Sequence, residues 1–344
     1  MAPIIESINR KVRKNAALTG AGKRNELFAS DYKAVAALFS EMNEDEWESP
    51  DKEAGKRLSA ALYERGFSFE GADVYGKRQR RVYMRGVDMG AVRAGEEDIR
   101  RSAEEVLSAK LSSPEFSLDG GRVNASMESV PRISLRCGRH SVKSMRDSTT
   151  GDSVSTFENR EGYHYTLVSD GMGTGREAAL TSGLCAAFLE KLLSAGCPMR
   201  SALELLNCFV RGGEGECFAT VDMMEADLYT GRARFIKSGA APSFVIRNGR
   251  LYRIHSKTVP IGIMRALDAE SVSFDLLEGD TVVMMSDGVC GSYEDCPWLF
   301  ELLSNGLLKD EPPAAAAVRI ARTPAEMTGR DDDITVCVLR VEAA

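Results

Sequence analysis

Apolar positions fall into two regimes along the chain. From residue 49 to about 118 they recur mainly at helical spacing, with one alternating stretch between two helical ones. Ser49-Pro50-Asp51 opens a helix with Ser49 as N-cap and Pro50 in first position, and the helix closes at Gly66. Phe67 to Val87 reads as two strands around Tyr75-Gly76-Lys77. Glu96 to Leu111 reads as a helix with Ile99, Ala103, Val106 and Leu107 inward. The run Lys77-Arg78-Gln79-Arg80-Arg81 reads as a solvated hairpin edge and not as an anion site, because Lys and Arg on an exposed edge oppose further strand pairing.

Strands dominate the second regime. Arg132 to Cys137, Ser153 to Phe157 and His164 to Ser169 alternate or run apolar between turn residues. Two helices follow, Gly175 to Ala195 and Pro198 to Val210, separated by Gly196 as a stop and Pro198 as a start. The first carries two adjacent apolar rows, Leu180, Leu184, Phe188 and Leu192 beside Thr181, Cys185, Leu189 and Leu193. Strands return over 218–223, 225–228, 233–237, 244–247 and 251–254, with hairpin turns at Tyr229-Thr230-Gly231 and Asn248-Gly249. Val282 to Met285, helical stretches over 298–308 and 314–323, and a last strand, Ile334 to Leu339, complete the order. This order predicts an α+β fold with two face-to-face antiparallel sheets flanked by helices. The expected division is a helical segment over 1–48, a small α+β domain over 49–118 and a large domain over 119–344. Before residue 49, Tyr32, Val35, Ala36, Leu38 and Phe39 form a helical stripe after a basic start, read either as a helix seeking a partner or as a loosely ordered chain end.

Composition narrows the partners. The 344 residues carry 51 acids against 44 Lys and Arg, a formal charge of -7, so no general basic surface for nucleic acid or anionic membrane is expected. No apolar run reaches about eighteen residues and no leader pattern is seen, so the chain as given is expected in the cytoplasm. The eight cysteines show no Cys-x-x-Cys pair, and reduced core thiols are expected. Three scattered histidines suggest no zinc site, leaving oxygen ligands for any metal.

Carboxylates recur where strands begin and end. Asp152 follows Gly151 into a strand, and Asp170 ends one and leads into Gly171-Met172-Gly173-Thr174-Gly175. Asp287 ends Val282 to Met285 within Ser286-Asp287-Gly288, and Asp331-Asp332-Asp333 precedes Ile334. Alone, Asp170 reads as a turn former. Repeated in order, these acids form a plausible constellation for a hard divalent cation, which takes carboxylate and carbonyl oxygens. Thr174 and Glu177 have capping-box spacing, so a helix starts directly after the turn.

The motifs Gly-Asp-Ser at 151–153, Ser-Asp-Gly-Met-Gly-Thr-Gly at 169–175, Ser-Asp-Gly at 286–288 and Asp-Asp-Ile-Thr at 332–335 resemble the metal-dependent serine/threonine phosphatases of the PPM (type 2C) family. Phe218-Ala219-Thr220, Asp227-Leu228-Tyr229-Thr230-Gly231, Gly239-Ala240-Ala241-Pro242 and Pro260-Ile261-Gly262 resemble its stage II sporulation protein E branch. The resemblance implies a PPM-type β-sandwich between helix pairs. It also implies two Mn²⁺ or Mg²⁺ ions and an activated water that attacks phosphorus. By it, Asp152, Asp170, Asp287 and Asp332 are catalytic and ligate metal, Asp170 between both ions, with the Gly171 carbonyl a further ligand and Asp333 an accessory one. Arg146 stands near the expected phosphate-binding arginine. Met172 replaces the family's proton-donating histidine.

The branch further implies a phosphoserine substrate on an anti-sigma factor antagonist. Its helix pair is expected to act as a switch through Gly171, Gly173, Gly175, Leu184 and Phe188, and the N-terminal parts to regulate or to form a homodimer or larger self-assembly. Full-length members carry a multispanning membrane region, which places the whole protein at the inner face of the cell membrane or the sporulation septum and makes this chain a soluble piece without membrane contact of its own. The alternatives are a catalytically weak scaffold that reads a phosphoprotein, or a phosphatase for a different phosphoprotein.

Overall fold

In this computed structural model the described residues are 49–88, 95–145, 148–173, 175–212, 218–290, 296–306, 308, 311–328 and 332–344. The expectations for 1–48, for Arg146 and for the Thr174 cap lie outside them.

Helix α1 (Lys52–Glu64) and helix α2 (Glu96–Leu107) cover one small sheet. Its strands are β1 (Gly71–Tyr75), β2 (Arg81–Arg85), β3 (Glu115–Asp119) and β4 (Arg122–Glu128), in the order β1-β2-β4-β3. Leu58, Leu62, Val74, Val82, Met84, Ile99 and Met127 form its core. The expected boundary at residue 118 falls inside this sheet, since β4 pairs with both β2 and β3. The cap of α1 also differs from the reading above. Asp51, not Ser49, takes the Ala54 amide at 3.0 Å, because Arg80 holds the other Asp51 oxygen at 2.8 Å.

Two five-stranded antiparallel sheets form the large body. One contains β5 (Ile133–Val142), β10 (Ser243–Arg247), β11 (Arg250–Ile254), β13 (Thr281–Met285) and β14 (Ile334–Ala343), in the order β11-β10-β13-β14-β5. The other contains β6 (Asp152–Glu158), β7 (Tyr163–Asp170), β8 (Val221–Asp227), β9 (Arg232–Ser238) and β12 (Glu270–Asp275), in the order β12-β9-β8-β7-β6. Val168, Met224, Phe235, Val245, Met284 and Leu339 meet between the sheets. The alternate residues Leu167, Met223 and Ile236 face the opposite way, onto α3 (Gly175–Ser194) and α4 (Met199–Arg211). Helices α5 (Pro297–Ser304) and α6 (Pro313–Thr328) cover the outer face of the first sheet through Leu299, Leu303 and Ile320. A sandwich between helix pairs results, as the motif order predicts. Among the described residues no helix is long and apolar enough to cross a membrane.

Of the two rows on α3, the apolar residues of one are fully buried and the other reaches the same core only through Phe188 and Leu192. Cys185, Leu189 and Leu193 are buried, whereas Leu180 is 63 % and Leu184 41 % exposed. Phe188 stacks on Phe209 of α4 with centroids 5.2 Å apart. Cys290 and Cys296 are joined in a disulfide, against the expectation of reduced thiols.

The basic hairpin does something the strand pattern does not predict. Arg78 leaves the small sheet and pairs with Asp227 at 2.7 and 2.9 Å, donates to the Glu161 and Gly162 carbonyls, and lies 3.9 Å from the Tyr163 ring centroid. It ties the small unit to the far end of β7 and β8, away from Asp170. Charge-assisted pairs of this kind contribute roughly 1.5–3 kcal/mol. Arg78→Ala is therefore expected to lower the thermal midpoint by several degrees and to speed proteolysis of the 71–85 hairpin; an unchanged cleavage rate would show that other contacts suffice.

Candidate active site

Strand pairing assembles the first half of the site. Asp152 opens β6 and Asp170 closes β7, and the two lie directly opposite in register. Facing side chains on adjacent strands have Cβ atoms about 5 Å apart, so two carboxylates repel each other there. Asp170 is anchored by its backbone: its amide donates to Thr220 Oγ1 at 3.0 Å and its carbonyl accepts from the Thr220 amide at 2.8 Å. Asp152 is buried, and its Oδ2 accepts from Ser286 Oγ at 2.7 Å, which in turn accepts from the Thr335 amide.

The second half comes from the other sheet. Asp287 begins a 3-10 turn after β13, and Asp332 precedes β14. A Cβ on Gly288 would lie 1.9 Å from the Asp333 carbonyl oxygen, so only glycine lets these two segments approach so closely. Asp333 accepts from the Ser144 amide at 2.8 Å and the Gly151 amide at 2.6 Å, and thereby clamps the loop that delivers Asp152.

Electrostatics follow from this crowding. Burial, then the Asp152 and Asp287 charges, push the Asp170 carboxyl up to about 8. Burial raises Asp152 to about 6, against the Ser286 and Thr335 hydrogen bonds that favour its charge. Asp152 Oδ1 is buried without a hydrogen-bond partner. An orphaned carboxylate oxygen amid mutually repelling acids fits a divalent cation, and every donor present is a hard oxygen. Among the described residues no three Asp, Glu, His or Cys side chains lie close enough together to hold a metal ion as they stand, so ligation requires the carboxylates to turn toward one another. Charge density decides the fit more than ligand distances do, because carboxylates reorient easily whereas the excess negative charge of the strand ends does not.

Gly171 links the acids to the helix pair. Its amide donates to the Gly151 carbonyl at 3.2 Å, and a Cβ there would lie 2.1 Å from the Ala178 carbonyl oxygen of α3. Gly173 and Gly175 have φ of 98° and 68°, conformations that let the chain reverse straight into α3. Met172 is 53 % exposed. Leu184 and Phe188 lie farther along α3, Leu184 toward solvent and Phe188 against Phe209.

Three residues of the site carried weak sequence signals. Lys237, Asp222 and Ser243 are buried beneath the acids. Lys237 Nζ lies 2.8 Å from Asp222 Oδ1, off hydrogen-bonding alignment, and donates to Ser243 Oγ at 2.9 Å and the Ala241 carbonyl at 2.6 Å. The sequence offers only a lysine and an aspartate among strand residues that include other charges, such as Glu225 and Arg234. Val168, Asp170, Thr220, Asp222, Gly239, Ala240, Ala241, Met285, Ser286 and Asp287 line a cleft whose enclosed part is about 20 Å³, room for one oxygen-sized group.

Known proteins resemble this chain in sequence and fold. The family model of stage II sporulation protein E (SpoIIE) matches residues 160–342, more than half of the chain. The chain belongs to the SpoIIE family. SpoIIE of Bacillus subtilis (strain 168) is 30 % identical over 198 residues, covering 56 % of this chain and 24 % of that protein. Phosphoserine phosphatase RsbP of the same organism is 25 % identical over 174 residues, covering 49 % and 42 %. The chain thus spans about a quarter of the first relative and under half of the second. A solved structure of the PP2C phosphatase domain and a fragment of the regulatory domain of B. subtilis SpoIIE is similar in fold, with a TM-score of 0.65 and 22 % identity over 96 % of this chain and 98 % of that one. The SpoIIE match takes in Asp170, Gly171, Asp287, Asp332 and Asp333. Asp152 lies outside it and joins them through the pairing of β6 with β7.

Proposed function

We propose that this SpoIIE-family chain is a Mn²⁺- or Mg²⁺-dependent protein serine phosphatase that hydrolyses phosphoserine on an anti-sigma factor antagonist during sporulation. The observation that carries the reading is the facing pair Asp152 and Asp170, with Asp287 and Asp332 brought beside it from the second sheet. Asp152, Asp170 and the Gly171 carbonyl would hold one ion, and Asp170, Asp287 and Asp332 the other. When bound, such ions lower the pKa of a coordinated water and neutralise phosphoryl oxygens.

The chain's own groups prepare this site. Ser286 orients Asp152, Thr220 fixes the backbone of Asp170, and Asp333 restrains the loop at Gly151. Asp170 must release its proton before it can ligate, which favours loading at higher pH. Met172 has no proton to donate, so the departing serine oxygen would take its proton from water or another residue, or be stabilised as alkoxide by the metal. The N-terminal segment and the small α+β unit, which runs through β4, would serve regulation or self-association.

The test is Mn²⁺-dependent phosphate release from a phosphoserine anti-sigma factor antagonist, comparing the parent with Asp287→Asn. The variant is expected to lose at least 100-fold in kcat/KM, about 2.7 kcal/mol of transition-state stabilisation. Activity on an aryl phosphate but not on the protein would discard the partner and keep the phosphatase. Inactivity on both would favour the scaffold reading.

Because α3 touches Gly171 through Ala178, helix packing is expected to set metal affinity. Leu184→Asn and Phe188→Asn should shift the Mn²⁺ concentration for half activity several-fold, and an unchanged titration for both would sink the switch.

A further inference from the structure

We propose that the Gly239–Ala241 turn is a binding site for a phosphoryl oxygen, formed by the Ala240 and Ala241 amides, and that buried Lys237 is its positioning residue. This deepens the phosphatase reading and rests on it.

Gly239, Ala240 and Ala241 line the same cleft as Asp170 and Asp287, and its enclosed part has room for one oxygen-sized group. Gly239 has φ of 64° and turns the chain directly into the Ala240 and Ala241 amides, and successive N–H groups in a turn can form an anion-binding concavity. The Gly239 amide is already engaged, donating to Thr258 Oγ1 at 3.1 Å. Among the described residues the Ala240 and Ala241 amides donate no hydrogen bond, although both residues are half-buried at the cleft.

The turn is held rigidly. Lys237, 1 % exposed, donates to the Ala241 carbonyl at 2.6 Å while contacting Asp222 of β8 and Ser243 of β10. One ammonium therefore joins the turn to both sheets. A buried charge persists only when fully partnered, so these contacts must remain intact together. From the other side, a Cβ on Gly239 would lie 2.5 Å from the Pro260 nitrogen, which wedges the turn against the Pro-Ile-Gly segment. Amides fixed beforehand and aimed where oxygen charge gathers stabilise it without reorganisation. They also supply positive dipole ends in a cleft whose side chains are acidic.

The test is amide NMR of ¹⁵N-alanine-labelled, Mg²⁺-loaded protein titrated with inorganic phosphate. The Ala240 and Ala241 amide protons should move downfield and saturate at the concentration at which phosphate inhibits hydrolysis. An ester in place of the Ala241 amide should weaken phosphate binding about tenfold and leave Mg²⁺ affinity unchanged. Lys237→Met combined with Asp222→Leu removes both buried charges, so the fold can survive; it should reduce the phosphate-induced shifts at both alanines. Inhibition by phosphate without any shift at Ala240 and Ala241 overturns the proposal and leaves the phosphatase reading standing. Saturable shifts in a parent that hydrolyses no phosphoester support the anion site and discard the phosphatase reading.

Discussion

Gly171→Ala is expected to abolish metal-dependent hydrolysis and to lower stability, although it adds one methyl group. That methyl would lie 2.1 Å from the Ala178 carbonyl oxygen, and the obstacle is helix backbone, which cannot rotate aside. Either α3 lifts from the sheet or the Asp170–Gly171 strand end retreats. The first separates the apolar contacts of Cys185, Leu189 and Leu193 with β7 and β8; the second moves Asp170 and the Gly171 carbonyl away from Asp152. Overpacking of this kind costs about 1–3 kcal/mol, which corresponds to roughly 2–4 °C of thermal midpoint per kcal/mol in a body of this size. Thermal unfolding with and without Mn²⁺ is the measurement. A variant that keeps the parental midpoint and the parental Mn²⁺ response would show that this contact constrains neither helix nor metal site.

Asp170→Asn is expected to do the opposite to the metal-free protein while also eliminating activity. The Asp170 carboxyl titrates near 8 in the folded state against 3.8 as its ordinary value. The folded state therefore holds this proton more tightly than the unfolded chain. The resulting stability is fully present below pH 3.8 and is lost as the pH rises toward 8. Asparagine carries no charge at any pH, so the variant should resist that loss. At pH 8 without metal it should exceed the parent by about 2–4 kcal/mol, a figure reduced from the full shift because Asp170 retains some solvent contact. Adding Mn²⁺ should reverse the order, since only the parent gains binding energy from the ion. Thermal midpoints at pH 5 and pH 8, with and without Mn²⁺, check both signs. Equal metal-free midpoints at pH 8 would mean that Asp170 is not crowded by its neighbours.

Much of the site was legible because its acids stand at boundaries that sequence marks well. A buried apolar strand followed by Asp-Gly, or a Gly-Asp before one, signals a strand end whatever the surrounding fold. Thr220, Ser286 and Thr335 lay inside the same motifs, yet their roles as holders of Asp170 and Asp152 appear only once strands distant in sequence are adjacent. Lys237 and Asp222 give no local signal, because a charged residue in a strand normally marks its solvent face. Here Asp222 lies in a strand buried throughout and Lys237 in the buried end of β9, and each is the other's partner. Arg78 differs from the expected solvated edge for a related reason: its partner Asp227 lies 149 residues away, and no local pattern reports such a pairing.

By itself the sequence determined the alternation of strands and helix pairs, the acidic strand ends and the glycines beside them, because these follow from period, turn chemistry and local backbone freedom. Tertiary structure alone decided which apolar row of α3 is buried, that the small sheet continues through β4, and why Gly171 must lack a side chain. Each of those depends on what a second element presents across a gap of a few ångströms. Such complementarity arises between segments far apart in the chain, and no single segment encodes it.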